Sequence, residues 1–159
     1  MRQTYIISAF PGCGKTVATD AFGGQVEIID SDSSNFPKDK FPGNYIDEIE
    51  NRIGTCDVLF VSSHESVREE LDKRKIRYTL YYPSEDRRNE FLENYVKRRS
   101  KPELIQKIDK NFLTWIRDID GMESDYCQRI KLGQAGQFIG NEQHFRDLVE
   151  RIASERSEK

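Results

Sequence analysis

The chain has 159 residues, 36% hydrophobic and 33% charged, with 25 Lys and Arg against 28 Asp and Glu for a net charge of −3. That length holds one domain with a substantial core and not two ordinary ones, and the acidic balance removes any global electrostatic reason to bind nucleic acid or an anionic membrane. No run approaches a membrane span and residues 1–3 lead straight into an apolar segment, so a cytoplasmic protein without a signal peptide is expected.

The first element is the apolar run Tyr5-Ile6-Ile7-Ser8, which reads as a strand and is followed at once by Ala9-Phe10-Pro11-Gly12-Cys13-Gly14-Lys15-Thr16. The spacing fits the phosphate-loop pattern G-x-x-x-x-G-K-[ST], with Ala9 in place of the first glycine. Such a loop turns successive backbone N–H groups toward one point, and the next helix adds its positive dipole end. Lys15 then supplies an ammonium for the outer phosphates, and the Thr16 hydroxyl takes Mg²⁺. Gly12 and Gly14 fall where the backbone approaches phosphate without a Cβ in the way. Pro11 fixes its own φ and holds Phe10 out of the helical region. The expected ligand is ATP with Mg²⁺, held by Ala9, Pro11, Gly12, Cys13, Gly14, Lys15 and Thr16.

Cys13 is either a thiol of lowered pKa beside a helix N-terminus and Lys15, or a small side chain in a variable loop position. With Cys56 and Cys127 it makes an odd, widely spaced set that reads as reduced thiols.

A helix from about residue 14 to 22 is stopped by Gly23-Gly24. The second strand, Val26-Glu27-Ile28-Ile29, ends in Asp30-Ser31-Asp32-Ser33-Ser34-Asn35. In an open parallel sheet the functional residues gather at the carboxyl ends of the strands, so these two carboxylates stand beside the phosphate loop. A carboxylate there holds the metal or accepts the proton of an attacking hydroxyl. Asp30 is assigned mainly to the Mg²⁺ shell and Asp32 mainly to the acceptor; a solvated Asp/Ser turn is the competing reading.

Residues 31–56 are expected to cover the acceptor. Lys38, Lys40 and Arg52 there face Asp32, Asp39, Asp47, Glu48 and Glu50, a balance unsuited to a long DNA strand. Phe36, Phe41 and Tyr45 either stack on a base or pack locally, and Tyr45, Ile46, Ile49 and Ile53 mark a helix ended by Gly54.

The third strand, Val58-Leu59-Phe60-Val61, runs into Ser62, Ser63 and His64 rather than into the metal-holding acid of motor and signalling ATPases, and Asp57 lies at its other end. Ser62-Ser63-His64-Glu65 has capping-box spacing for a helix through Val67 and Leu71, although Ser62 and His64 are equally placed to contact an acceptor. After the fourth strand, Tyr78-Thr79-Leu80-Tyr81, a capping Ser84 and an acidic first turn open a helix that buries Phe91, Leu92, Tyr95 and Val96. It ends in Lys97-Arg98-Arg99-Ser100-Lys101. This corner is either a lid, with Arg98 or Arg99 as the catalytic cation, or a complement to the helix dipole. Arg87 and Arg88, in the first turn, are less easily explained by that dipole.

Pro102 opens a helix whose stripe of Leu104, Ile105, Ile108, Phe112, Trp115, Ile116 and Ile119 reads as core, with Trp115 stacking on a base as the sharper alternative. A weak fifth strand, Arg129-Ile130-Lys131-Leu132, precedes Gly133-Gln134-Ala135-Gly136, a small-residue loop suited to lie against adenine. The last helix is expected from Asn141 and buries Phe145, Leu148, Val149 and Ile152. Residues 153–159 lose the pattern and are expected to fray.

Strands alternating with helical segments argue for a parallel sheet with helices on its faces. Together, the loop from Ala9 to Thr16, the Asp30-x-Asp32 pair and the arginine corner resemble the nucleotide and shikimate kinase-like branch of P-loop kinases. Asp30-Ser31-Asp32-Ser33-Ser34 and Val61-Ser62-Ser63-His64 look like the short nucleotide kinases often encoded by bacteriophages. The resemblance implies an α/β fold: one three-layer α/β/α P-loop domain over residues 1–152, with a five-stranded parallel sheet of order 2-3-1-4-5. It also implies a short helical lid at about 97–112 carrying Arg98, and ATP as donor. The departures are Ala9, the short lid and few arginines in the acceptor region.

The implied activity is a Mg²⁺-dependent transfer of the γ-phosphate to a nucleotide or nucleoside by a monomer or homodimer. The alternatives are a kinase acting on a hydroxyl of DNA, at a modified base or a 5′ end, and a nucleotide-binding ATPase or switch with a protein partner.

Overall fold

All four residues from Val58 to Val61 are buried, as in a strand covered on both faces. In the computed structural model, which describes residues 2–157, they belong to β3 (Val58–Ser62) of a five-stranded parallel sheet. The other strands are β1 (Tyr5–Ala9), β2 (Ile28–Asp30), β4 (Tyr78–Pro83) and β5 (Cys127–Leu132), in the expected order β2-β3-β1-β4-β5. The register sets Ala9 between Ser62 and Tyr81, and Asp30 opposite Phe60, so the ends of β1, β2 and β3 lie side by side.

Among the described residues six α-helices cover the sheet: α1 (Lys15–Phe22), α2 (Gly43–Arg52), α3 (Glu65–Lys73), α4 (Arg88–Lys97), α5 (Pro102–Asp120) and α6 (Gln143–Ser157). Phe145 of α6 stacks on Phe60 of β3 at 6.1 Å between centroids and meets Phe22 of α1 edge-on at 5.7 Å. α2 and α3 are tied by Arg74, which reaches Asp47 at 2.7 Å, Glu50 at 3.1 Å and Glu70 at 3.0 Å.

Three local expectations change. α3 begins at Glu65 after His64, so Ser62 caps no helix; its hydroxyl instead accepts the His64 N–H at 3.3 Å. The Ser84 hydroxyl donates to Asp86 rather than capping, and a single 3-10 turn, Glu85–Arg87, intervenes before α4. α6 continues past residue 153 to Ser157, where fraying was expected, while Glu158 and Lys159 lie outside the described residues. The cause lies at the far end of the sheet: Arg156 Nη2 is 2.7 Å from Oδ2 of Asp57, a buried acid that also accepts the Glu27 N–H at 2.7 Å.

The corner between α4 and α5 is a Schellman turn. The Ser100 N–H donates to the Tyr95 carbonyl and the Arg99 N–H to the Val96 carbonyl, each at 3.0 Å, with Arg99 at φ +56° where glycine is usual. Arg99 is therefore fixed by the turn that sends α5 back across the sheet.

Candidate active site

Ala9 stands where the phosphate-loop pattern has its first glycine. It is the last residue of β1, paired on both sides and buried, and it has no positive φ to accommodate. A small side chain suffices there. Gly12 and Gly14 take φ of +90° and +95°, which L side chains rarely adopt. A Cβ on Gly12 would sit 2.8 Å from Cε1 of Tyr95, and one on Gly14 would sit 3.1 Å from Cβ of Phe138. The protein's own packing thus demands these glycines as strictly as a bound phosphate would.

The loop is anchored from behind. Phe10 is buried edge-on against Phe112 at 5.4 Å, Trp115 at 6.3 Å and Phe91 at 6.4 Å, and the Tyr95 hydroxyl donates to the Pro11 carbonyl. Cys13 is fully buried, and burial pushes its thiol up to about 12, which rules out the reactive-thiol reading. Only its backbone is left for a ligand. α1 starts without a side-chain cap and without an acid in its first turn, so its first N–H groups are free for an anion.

Lys15 Nζ lies 3.7 Å from Oδ1 of Asp30 at the end of β2. Asp32, one alternation further, accepts the Ser34 N–H at 2.9 Å and so opens the 3-10 turn Ser33–Asn35. The Ser34 hydrogen bonds, and then the charge of Lys15, hold its carboxyl below the ordinary aspartate range. The Tyr45 hydroxyl donates to the Ser31 carbonyl at 2.6 Å and accepts the Ser62 N–H at 3.0 Å, fastening the end of β2 to the end of β3. Burial pushes this phenol up to about 12, so it stays protonated to donate. Phe36 and Phe41 pack on the Tyr45 ring at 5.1 and 5.8 Å, which settles all three aromatics as local packing.

These groups open into a cleft of about 750 Å³, walled on its other side by α5. Lys15, Asp30, Asp32 and Arg98 all line it, and the Arg98 guanidinium lies 5.8 Å over the Tyr95 ring. Arg99 does not line it. Gly14, Cys13 and Gly133 are also absent from its walls, and Thr16 is exposed on the first turn of α1. The stretch 97–112 is the α4–α5 corner plus the first half of α5, from which Leu104, Lys107 and Ile108 face the cleft. Trp115, half-buried, packs on Phe10 and also lines the cleft.

Arg87, unexplained by the helix dipole, is a buried mooring. It lies 5.0 Å from both the Phe91 and Phe138 rings, pairs with Glu90 at 2.7 Å, and donates to the Leu132 and Gln137 carbonyls. Glu90 in turn accepts the Gly136 N–H at 3.0 Å, so the loop around Gly133 is held against α4. Arg88 pairs with Asp109 on α5.

Sequence reading passed over Arg68, on α3, and Lys107, on α5, which enter the same cleft. Each carries a charge on an otherwise amphipathic helix, and nothing local marks it as facing a cavity.

Neither a protein-family model nor a curated protein matches the chain. Among solved structures it is similar to a gluconokinase from Sinorhizobium meliloti 1021, with a TM-score of 0.51 and 15% identity over 99% of this chain and 98% of that one. A sugar kinase from Janibacter sp. HTCC2649 has a TM-score of 0.49 and 12% identity over 97% and 94%. A shikimate kinase from Bacteroides thetaiotaomicron has 0.44 and 11% over 98% of both chains. At such identities the likeness is one of fold, and the bacteriophage-type resemblance gains no support from it. The chain therefore shares its fold with that gluconokinase along nearly its whole length, as an α/β domain with a five-stranded sheet of order β2-β3-β1-β4-β5.

Proposed function

We propose that the protein is an ATP- and Mg²⁺-dependent phosphotransferase acting on a small hydroxyl-bearing acceptor, with nucleotides and nucleosides as the first classes to test. The observation that carries this reading is the shared cleft: a glycine-built phosphate loop and the two carboxylates of the β2 end open into one volume of about 750 Å³. A motor or switch needs no such space for a second substrate, and a DNA strand suits it less well than a small molecule.

The residues fit the donor. Gly12 and Gly14 have the positive φ of a phosphate cradle, the start of α1 is uncapped, and the ammonium of Lys15 stands beside an acid. When bound, ATP with Mg²⁺ supplies the transferable phosphoryl group and neutralises its charge. Lys15 holds the outer phosphates. Thr16 and Asp30 would hold the metal, in keeping with the preference of Mg²⁺ for one or two protein oxygens completed by phosphate and water.

Asp32, kept ionised by Ser34, orients the acceptor hydroxyl and takes its proton as the oxygen attacks. Arg98, on the corner between two helices, brings positive charge over the transferring group. Gly133 and its moored loop are assigned to the adenine side. Arg99 keeps its place as a turn residue.

The test is an acceptor screen with γ-labelled ATP and Mg²⁺ over nucleotides, nucleosides, sugars, sugar acids and oligonucleotides. Label is expected in a small molecule. Transfer to none of them, with ATP hydrolysis stimulated by a partner protein instead, would overturn the reading in favour of a switch.

A further inference from the structure

Removing a guanidinium from water is costly unless an anion replaces the lost hydration. Elsewhere this protein obeys that rule: buried Arg87 pairs with Glu90, and Arg74 with three acids. Arg68 breaks it. Its residue is only 8% exposed, yet no ion pair to it exists among the described residues. Nε donates to the Ser63 carbonyl at 2.9 Å and Nη1 points at the thioether of Met122 at 3.0 Å, a weak acceptor. Nη2 carries no hydrogen bond among the described residues, and the side chain lines the cleft.

A second cation faces the same space. Lys107, on the α5 wall, is exposed and without an ion pair among the described residues. The carboxylates of Glu65 and Asp118 also line the cleft, but neither pairs with either cation. His64 lines the same cleft and feels both charges. Burial first, and then the charges of Lys107 and Arg68, lower its pKa, so the imidazole is neutral and adds no charge of its own.

We infer that the acceptor carries an oxyanion, a carboxylate or a phosphate monoester, bound by the free edge of Arg68 with Lys107 as its second cation. The hydroxyl to be phosphorylated then reaches toward Asp32, which lines the same cleft. This rests on the kinase reading and narrows it: uncharged nucleosides and sugars leave a buried charge unanswered, whereas nucleoside monophosphates and sugar acids satisfy it. The shortage of bases in residues 31–56 loses its force as an argument against anionic acceptors, because the cations arrive from α3 and α5.

The experiment is calorimetric titration of the full chain, its phosphate loop filled with a non-hydrolysable ATP analogue and Mg²⁺, using matched probes: thymidine 5′-monophosphate against thymidine, and gluconate against glucose. The anionic member of at least one pair is expected to bind and its neutral partner not to, and the two pairs separate phosphate from carboxylate. Arg68→Met should weaken that binding at least tenfold, the loss of one charge-assisted contact, and leave affinity for the ATP analogue unchanged. Its melting temperature should not fall, since an unpaired buried charge has been replaced by an apolar chain of similar length.

Should Arg68→Met fail to fold, exposed Lys107→Ala should still weaken the anion severalfold. Equal binding of charged and neutral probes, binding of no anionic probe, or unchanged affinity in both variants would overturn the inference. Label passing only to an uncharged acceptor would sink it while sparing the kinase reading. Arg68-dependent anion binding without any label transfer would do the reverse.

Discussion

The two ends of the cleft are built by different means. At the proposed donor end the groups are mostly backbone: two glycines at positive φ, an uncapped helix start and one lysine, all within residues 12–16. At the proposed acceptor end they are entirely side chain, with Asp32 from the β2 turn, Arg68 from α3 and Lys107 and Trp115 from α5. A backbone cradle needs particular residues at fixed spacing, whereas a side-chain surface can draw on any element that packs nearby. The first kind of site keeps a motif and the second need not.

The largest expected effect breaks the donor end alone. Lys15→Met should lower kcat by about 10²–10³-fold, the loss typical of removing one preorganised donor to developing charge, while anion binding at Arg68 persists in calorimetry. Loss of both would show that the ends are not independent. At the acceptor end, Asp32→Asn should lower kcat by about 10²-fold with ATP affinity little changed, the ordinary worth of one general base. Asp30→Asn should instead weaken the affinity for Mg²⁺ with ATP. If Asp32→Asn costs ATP affinity equally, the metal has moved to that residue.

Backbone construction carries a stability signature that side-chain construction lacks. Gly12→Ala should destabilise the fold by about 1–3 kcal/mol, from the left-handed φ and the contact with Tyr95, and thermal melting would show it. Glu90, held below its ordinary pKa first by Arg87 and also by the Gly136 N–H, moors the loop after β5. A depressed carboxylate contributes stability that is present above the ordinary glutamate range and lost as pH falls through its folded value. Glu90→Gln should therefore flatten the fall in melting temperature on the acid side.

The smallest effect concerns the neighbours Arg98 and Arg99. Arg99→Gly should raise stability by a few tenths to about 1 kcal/mol by relieving φ +56°, with transfer unchanged, while Arg98→Ala lowers kcat. A loss of kcat in Arg99→Gly would return that residue to the site.

What was legible in the sequence follows the same division. The phosphate loop, the Asp30-x-Asp32 pair and the strand–helix alternation each sit in one contiguous stretch, and the strand order came with the resemblance those stretches carry. The sequence favours Arg98 over Arg99 only narrowly, and the Schellman turn separates them by claiming Arg99. Arg68 and Lys107 stood out least, because their convergence depends on how α3 and α5 lie across the sheet, and helical periodicity says only which face of each helix is apolar. Cys13 had two readings until burial removed one. The tail after residue 153 carried no apolar pattern, and its helix is held by Arg156 reaching an acid at position 57.

Tyr95 occupies the space that a side chain at position 12 would need, and its hydroxyl holds the carbonyl of the residue before it. The two sites are thus a lock whose parts must change together. A homologue with a larger residue at position 12 should carry a smaller one at position 95, and with it a loop less firmly seated on α4. Divergence at this pair would mark where a lineage has traded a preformed phosphate cradle for one that forms only around its nucleotide.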